Sequence, residues 1–284
     1  MPRHLDIDLL RSFVAIAEGR TLGRAAAKVG RTQAALSMQV RKLEALLGQP
    51  LLVRSGRGVT PTLHGERLLT HAHAILRRHD AALADLSGVG LSGTLCFGCP
   101  DDYAAAFLPA ILRSFAVRHP QVLVEVVCAP TPRLEEKLRQ HALDLALLSS
   151  ADDRSAGVLR REAMVWVANR RDDAGARDPL QLALGDPDTL DHRAARQGLD
   201  AMRRPYRIAF AAASMAGLLA VVRSGQAVAV LTQSAVPEDL RILPPGERLP
   251  ALPAVGLVVK TARTRAPALV EQFAEHLRDI VPTL

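Results

Sequence analysis

The sequence predicts an α/β protein made of an N-terminal winged helix-turn-helix, one long helix, and a two-lobed α/β domain. Three observations predict it. The basic excess is local: the 284-residue chain has a net charge of +7, and residues 1–87 hold thirteen Lys and Arg against seven acids while the rest is near neutral. Inside that basic third, two short helical patterns are broken by Val29-Gly30-Arg31. From Gly93 onward, short apolar runs alternate with helical patterns, which is how α/β structure reads.

Composition sets the frame. A chain of this length with 49% hydrophobic and 23% charged residues is an ordinary globular one with room for two cores. Aromatics are 3%, so those cores rest on Leu, Val and Ala. No apolar run approaches the roughly 20 residues of a membrane-spanning helix. The N-terminus, MPRHLDIDLLRSF, carries acids where a secretory signal has its apolar region, so a cytoplasmic protein without membrane contact is expected. Three cysteines, an odd number, do not suggest a disulfide framework.

In chain order, Leu9, Leu10, Phe13, Val14 and Ala17 recur at three- and four-residue spacing and predict a helix over Asp8–Glu18. Thr21 can cap a second helix, LGRAAAKV, whose small alanines let another helix cross closely. Gly30 supplies a tight turn and Thr32 caps the third helix. There Leu36, Val40, Leu43 and Leu47 form a buried seam, which leaves Gln33, Ser37 and Arg41 on a neighbouring outward ridge at i, i+4 and i+8. Such groups meet base edges and phosphates, and the second helix of a helix-turn-helix enters the major groove. The apolar pieces GQPLLVR and VT around SGRG predict a hairpin wing with Arg54 and Arg57 at its tip. Leu68, Leu69, Ala72, Ile75, Leu76, Leu83 and Leu86 then mark a seam on a helix of about 25 residues with no core of its own around it. A second copy of the helix is the simplest partner, and dimerisation would pair two recognition helices on one DNA site. His79 interrupts that seam and is expected at its edge as a neutral surface histidine.

The remainder predicts strands at TLCFG, VLVEVV, DLALLS, EAMVWVA, YRIAFA, QAVAVL and GLVVK. Helices fall between them at Phe107–Phe115, Leu134–Leu138 and MAGLLAVVRSG, with a last one from Pro267. In parallel α/β sheets, ligands sit beyond the carboxyl ends of strands against helix N-termini. The positions so placed are Pro100, Asp101, Asp102, Tyr103, Thr131, Pro132, Ser149, Ser214, Met215 and Val230. Together they are expected to hold one small effector, although Thr131 and Ser214 could serve only as helix caps. Two acids at the mouth would oppose a carboxylate, unless one caps the helix and the other points to solvent. An amine-bearing or zwitterionic effector is one alternative they leave open.

Cys96-x-x-Cys99 is the one other chemical signal. Lying in the strand TLCFG, it suits buried, inert thiols better than a redox pair or a metal site. The sequence has no nucleophile elbow, HExxH, phosphate-binding loop or dinucleotide fingerprint, so no catalytic residue, metal or cofactor is expected.

The stretch from Leu9 to Leu69 closely resembles the winged helix-turn-helix of LysR-type transcriptional regulators. The likeness is carried by the paired alanines, Gln33-x-x-Leu36-Ser37, Leu43-Glu44-x-x-Leu47-Gly48, the Arg-rich wing and Thr62-x-x-Gly65-Glu66. LPAILRSFAVRHPQVLVEVVCAPTPRLEEKLRQHALDLALLSS resembles the family's effector domain, and the last third resembles its LrhA-like branch. Ala34, Met38, Pro61 and His141 depart from the pattern, His141 standing where the family favours Gly. The resemblance implies a regulator that binds double-stranded promoter DNA through Thr32, Gln33, Ser37, Arg41, Arg54 and Arg57. It also implies a homodimer through the linker helix, a homotetramer, and a small effector bound in a periplasmic-binding-protein-like domain. The division expected is 1–62 for DNA binding, 63–90 for the linker helix and 91–284 for the effector, with lobe I at 91–160 plus 268–284 and lobe II at 161–267. The rival readings are a redox-responsive regulator using Cys96 and Cys99, and a small-molecule-binding protein without DNA reading.

Overall fold

The computed structural model describes residues 4–19, 21–55, 58–86, 91–171, 173–264 and 266–284. The chain divides into two compact units, Met1–Thr94 with Gln140–Ala142, and Leu95–Arg139 with Leu143–Leu284. Among the described residues, no helix is long and apolar enough to cross a membrane.

The first unit opens with α1 (Ile7–Gly19), α2 (Leu22–Val29) and α3 (Gln33–Leu47). Leu10, Phe13, Ile16, Ala25, Leu36 and Leu43 close their shared core. The caps are local chemistry. Thr21 Oγ1 accepts from the Arg24 amide at 3.3 Å and Thr32 Oγ1 from that of Ala35 at 3.2 Å. Between the helices Gly30 takes a left-handed φ of 63°, which a side chain would resist. The wing pairs β1 (Leu52–Ser55) with β2 (Gly58–Pro61) antiparallel. Glu44 ties it to α3, its Oε1 accepting from the Leu51 amide at 2.8 Å and the Leu52 amide at 3.3 Å.

The long helix α4 (Leu63–Leu86) starts on Thr62. That hydroxyl accepts from the Gly65 amide at 3.0 Å and donates to the Pro50 carbonyl at 2.8 Å. Its apolar seam is not free, contrary to the sequence reading. Leu68 and Ala72 are buried in the core of α1–α3, and Leu69, Ile75 and Leu76 pack against it. The first half of the helix therefore has a partner within its own unit, while Leu83 stays 56% exposed. The Leu86 side chain lies outside those described. His79 meets Asp80 at 3.2 Å at the helix surface.

The second unit holds two lobes. In the first, β3 (Gly93–Cys99), α5 (Asp101–Arg118), β4 (Val122–Cys128), α6 (Thr131–Arg139) and β5 (Leu145–Ser150) alternate. The second contains the latter half of β6 (Val158–Asn169), then β7 (Leu180–Leu184), α7 (Leu190–Ala201), β8 (Tyr206–Ala211), α8 (Met215–Arg223), β9 (Ala229–Thr232) and β10 (Leu240–Leu243). Strand β11 (Ala254–Thr261) returns to β5, pairing from Gly256↔Ser150 to Thr261↔Leu145. Helix α9 (Ala268–Ile280) also returns to the first lobe, where Phe273 meets Phe97 and Phe115 edge-on at 5.2 and 4.7 Å.

The expected parallel sheet is in fact mixed. The path runs β10-β6-β11-β5-β3-β4, with β9 also on β6. β3 and β5 are parallel, but β11 is antiparallel to both β5 and β6, and β6 to both β9 and β10. Two strands that cross from lobe to lobe can meet head to tail without the helical crossover that parallel neighbours require. Strands β7 and β10 and helix α7 were absent from the sequence reading. His141 adopts a left-handed φ of 55°, so the turn where the resemblance implies Gly takes a conformation that Gly favours.

Candidate nucleic-acid interface and effector cleft

Thr32, Gln33, Ser37 and Arg41 all fall on α3 or its cap. Thr32, Gln33 and Arg41 are exposed, and Ser37 is half-buried. The structure joins two of the predicted residues: Arg54 Nη2 donates to Ser37 Oγ at 2.6 Å. Arg54 is thus not at the hairpin tip. Pairing runs on through Ser55↔Gly58 and places Arg54 opposite Val59 within the strand, because ladder hydrogen bonds need no apolar side chains. Arg57 lies outside the described residues. The arrangement offers an exposed amide, a hydroxyl oriented by a guanidinium, and two arginines on adjacent elements. Met38, 67% exposed on the same helix, adds an apolar group that polarity alone did not single out.

In the second unit, a cleft of about 990 Å³ opens between the lobes. All ten effector positions chosen from the sequence line it. Tyr103 Oη and Ser149 Oγ are 2.9 Å apart, and the Ser149 amide donates to Thr131 Oγ1 at 3.1 Å, which links α5, β5 and α6 in one chain. Thr131 is the first residue of α6 and spends its hydroxyl on β5. Ser214 does cap α8, accepting from the Gly217 amide at 3.3 Å. Across the cleft, Thr232 Oγ1 donates to Asp102 Oδ2 at 3.1 Å.

The acids do not divide into a cap and a solvent-facing group. Asp101 and Asp102 both occupy the first turn of α5, and its N-cap position, Pro100, makes no side-chain cap. Burial pushes the Asp102 carboxyl up to about 6, the Asp191 charge adds to the rise, and the bonds from the Tyr103 amide and Thr232 oppose it. Asp191 is itself raised by burial, against the hydrogen bond from Thr189. Burial also raises the Tyr103 phenol, so it stays a neutral hydrogen-bonding group. Sequence reasoning missed Asp191, Thr189 and Thr232. The signal for the first two was GDPDTLD after the short apolar run LQLAL, the same strand-to-helix pattern used at the other positions.

Cys96 and Cys99 are both buried, and Cys99 is held well above the ordinary thiol range by burial and by Asp102. Three residues apart on one strand, they point to opposite faces about 10 Å apart, beyond the reach of a disulfide. The redox reading is not favoured.

Comparison with known proteins agrees with this architecture. Residues 7–66 match the family model described as bacterial regulatory helix-turn-helix protein, lysR family, and residues 88–281 match the LysR substrate binding domain. The HTH-type transcriptional regulator DgdR of Burkholderia cepacia is 57% identical over 283 residues, covering 99% of this chain and 96% of that protein. The HTH-type transcriptional regulator PecT of Dickeya dadantii (strain 3937) is 33% identical over 251 residues, covering 88% and 79%. In fold, the chain is similar to CbnR, a LysR family transcriptional regulator, at TM-score 0.67 and 21% identity over 97% of this chain and 99% of that one. Full-length CbnR in complex with its target DNA gives 0.64 at 22%, again over 97% and 99%. These matches do not carry the LrhA-like branch. With one family model on each part and a regulator matched along nearly its whole length, the chain belongs to the LysR family and is a DNA-binding transcriptional regulator with a substrate-binding domain.

Proposed function

We propose that this regulator reads promoter DNA with Gln33, Ser37 and Arg41, positioned by the Thr32 cap, while Arg54 and Arg57 of the wing hold the sugar-phosphate backbone. It acts in the cytoplasm, without catalysis, as a homodimer through the exposed end of α4 and as a homotetramer of two such dimers. A small effector binds between the lobes through the ten positions named above and shifts the population of oligomer arrangements, which alters the spacing or bend of bound DNA. The working division is 1–62, 63–90 and 91–284, with lobe I at 91–160 plus 268–284 and lobe II at 161–267. Strand β11 lies within the span of lobe II, although it is bonded to β5 of lobe I.

The convergence of four strand-to-helix junctions, from both lobes, on one cavity is what supports the effector reading most. Salt-dependent binding to the promoter region beside the protein's own gene, compared with random DNA, tests the DNA half. Arg41→Ala and Gln33→Ala should each remove about 1–3 kcal/mol of preference for the specific DNA, and Arg41→Ala, which also loses a charge, should flatten the salt slope as well. Equal binding of wild type to both DNAs would count against own-promoter recognition, and Gln33→Ala with preference intact would remove that residue from base reading.

A further inference from the structure

Four helix N-termini face the cleft, and they are not alike. Helices α5 and α7 carry acids in their first turns, Asp101 and Asp102 on the one and Asp191 on the other. Helices α6 and α8 carry none. An open N-terminus favours an anion, whereas one already occupied by carboxylates presents negative charge to the cavity. The cleft therefore has two poles. At one, Asp102 of the first lobe and Asp191 of the second are half-buried, and among the described residues neither forms a salt bridge. At the other stand the N-termini of α6 and α8, with Arg133 in the first turn of α6; Arg193 in the first turn of α7, Lys137 and Lys260 also line the cleft. Between them Met164, Met215, Leu218, Val230 and Val255 make the lining apolar.

We propose that the effector is a zwitterion of the amino-acid class, its ammonium held between Asp102 and Asp191, its carboxylate at the N-termini of α6 and α8, and its carbon substituent against the apolar lining. This rests on the reading of the cleft as the effector site. An ammonium would give the two carboxylates the ion pair that, among the described residues, neither makes within the chain. The elevated carboxyl of Asp102 agrees, since burial and the neighbouring Asp191 both disfavour its charge. The groups facing it are Asp101 on its own helix, Asp191 with His192 behind it on α7, Cys99 at the end of β3, and Thr232 at the end of β9.

The test is calorimetric titration of the full chain at pH 7.5 with each of the twenty common amino acids, with n-propylamine as the amine-only probe and propionate as the acid-only probe. At least one amino acid should bind more tightly than either half-probe. Asp102→Asn and Asp191→Asn should each weaken it tenfold or more while the protein stays folded by thermal melting. The wild-type affinity should also fall as the pH drops from 7.5 to 5.5, because protonated Asp102 no longer attracts an ammonium. Propionate binding more tightly than every amino acid, or amino-acid binding unchanged in both Asn variants, overturns the proposal and leaves the cleft reading standing. Silence from every probe overturns it too. The cleft reading is then judged separately, by whether the small-molecule fraction of a cell extract raises the melting temperature of wild type but not of Ser149→Trp, which fills the cleft.

Discussion

Replacing Asp102 with Asn should stabilise the ligand-free protein, and the structure sets the size and pH dependence of the gain. The carboxyl is raised from its ordinary 3.8 to about 6, mainly by burial. A folded-state value above the unfolded one means a contribution to stability that is complete below pH 4 and lost as the pH rises through 6. At about 1.4 kcal/mol per unit, the loss reaches about 3 kcal/mol at pH 7.5 and shrinks to about 1.5 at pH 5 and below 1 at pH 4. An amide keeps an acceptor for the Thr232 hydroxyl and has no charge to desolvate. Because the cleft is partly open to water, the gain expected at pH 7.5 is about 1–3 kcal/mol, falling by about half at pH 5. Urea unfolding of the full chain reads it through Trp166, the single tryptophan, buried in the second lobe with its indole N–H on the Pro250 carbonyl at 2.9 Å. An Asn variant less stable than wild type at pH 7.5, or a gain that does not shrink at pH 5, would refute the reasoning.

Three further outcomes are expected. Gly65→Ala should cost about 2 kcal/mol despite the better helix propensity of Ala, because its Cβ would stand 2.1 Å from the Leu51 carbonyl oxygen and force the wing off the start of α4; a melting curve equal to wild type would contradict this. Leu83→Glu, at a 56% exposed position near the end of α4, should shift sedimentation velocity toward smaller species without changing the melting temperature, and an unchanged sedimentation profile would place the dimer contact elsewhere. In the folded protein, iodoacetamide at pH 8 should label Cys128 alone by mass spectrometry, with Cys96 and Cys99 reacting only after denaturation.

The DNA-reading unit was legible in the sequence because its signals are short-range. Thr21, Gly30 and Thr32 cap or turn through bonds to residues at most four away, and the Leu36 seam follows from helical period alone. What failed there depended on neighbours distant in the chain. Whether the α4 seam meets a second copy or α1 cannot be read from the seam, and Arg54 left the tip because strand pairing outran the apolar pattern. In the second unit, the residues lining the cleft were found by a rule about strand ends that does not need the strand order. Strand direction was not, since an apolar run such as GLVVK carries no sign of which neighbour it joins. Helix α7 escaped because LDHRAARQGLDA buries only His192, two alanines and Leu199, too little apolar periodicity to see. Asp191, at its start, was lost with it.

The twelve-residue strand β6 has a mechanical consequence. Its first half is bonded to β11 and its second half to β9 and β10, so the two lobes share a continuous hydrogen-bonded ladder. The lobes cannot swing apart on a loose joint. Any closure must flex this ladder, most readily at the register shift between Leu257 and Val258, and the ladder resists as a leaf spring does. An effector that closed the cleft would therefore work against an elastic restoring force.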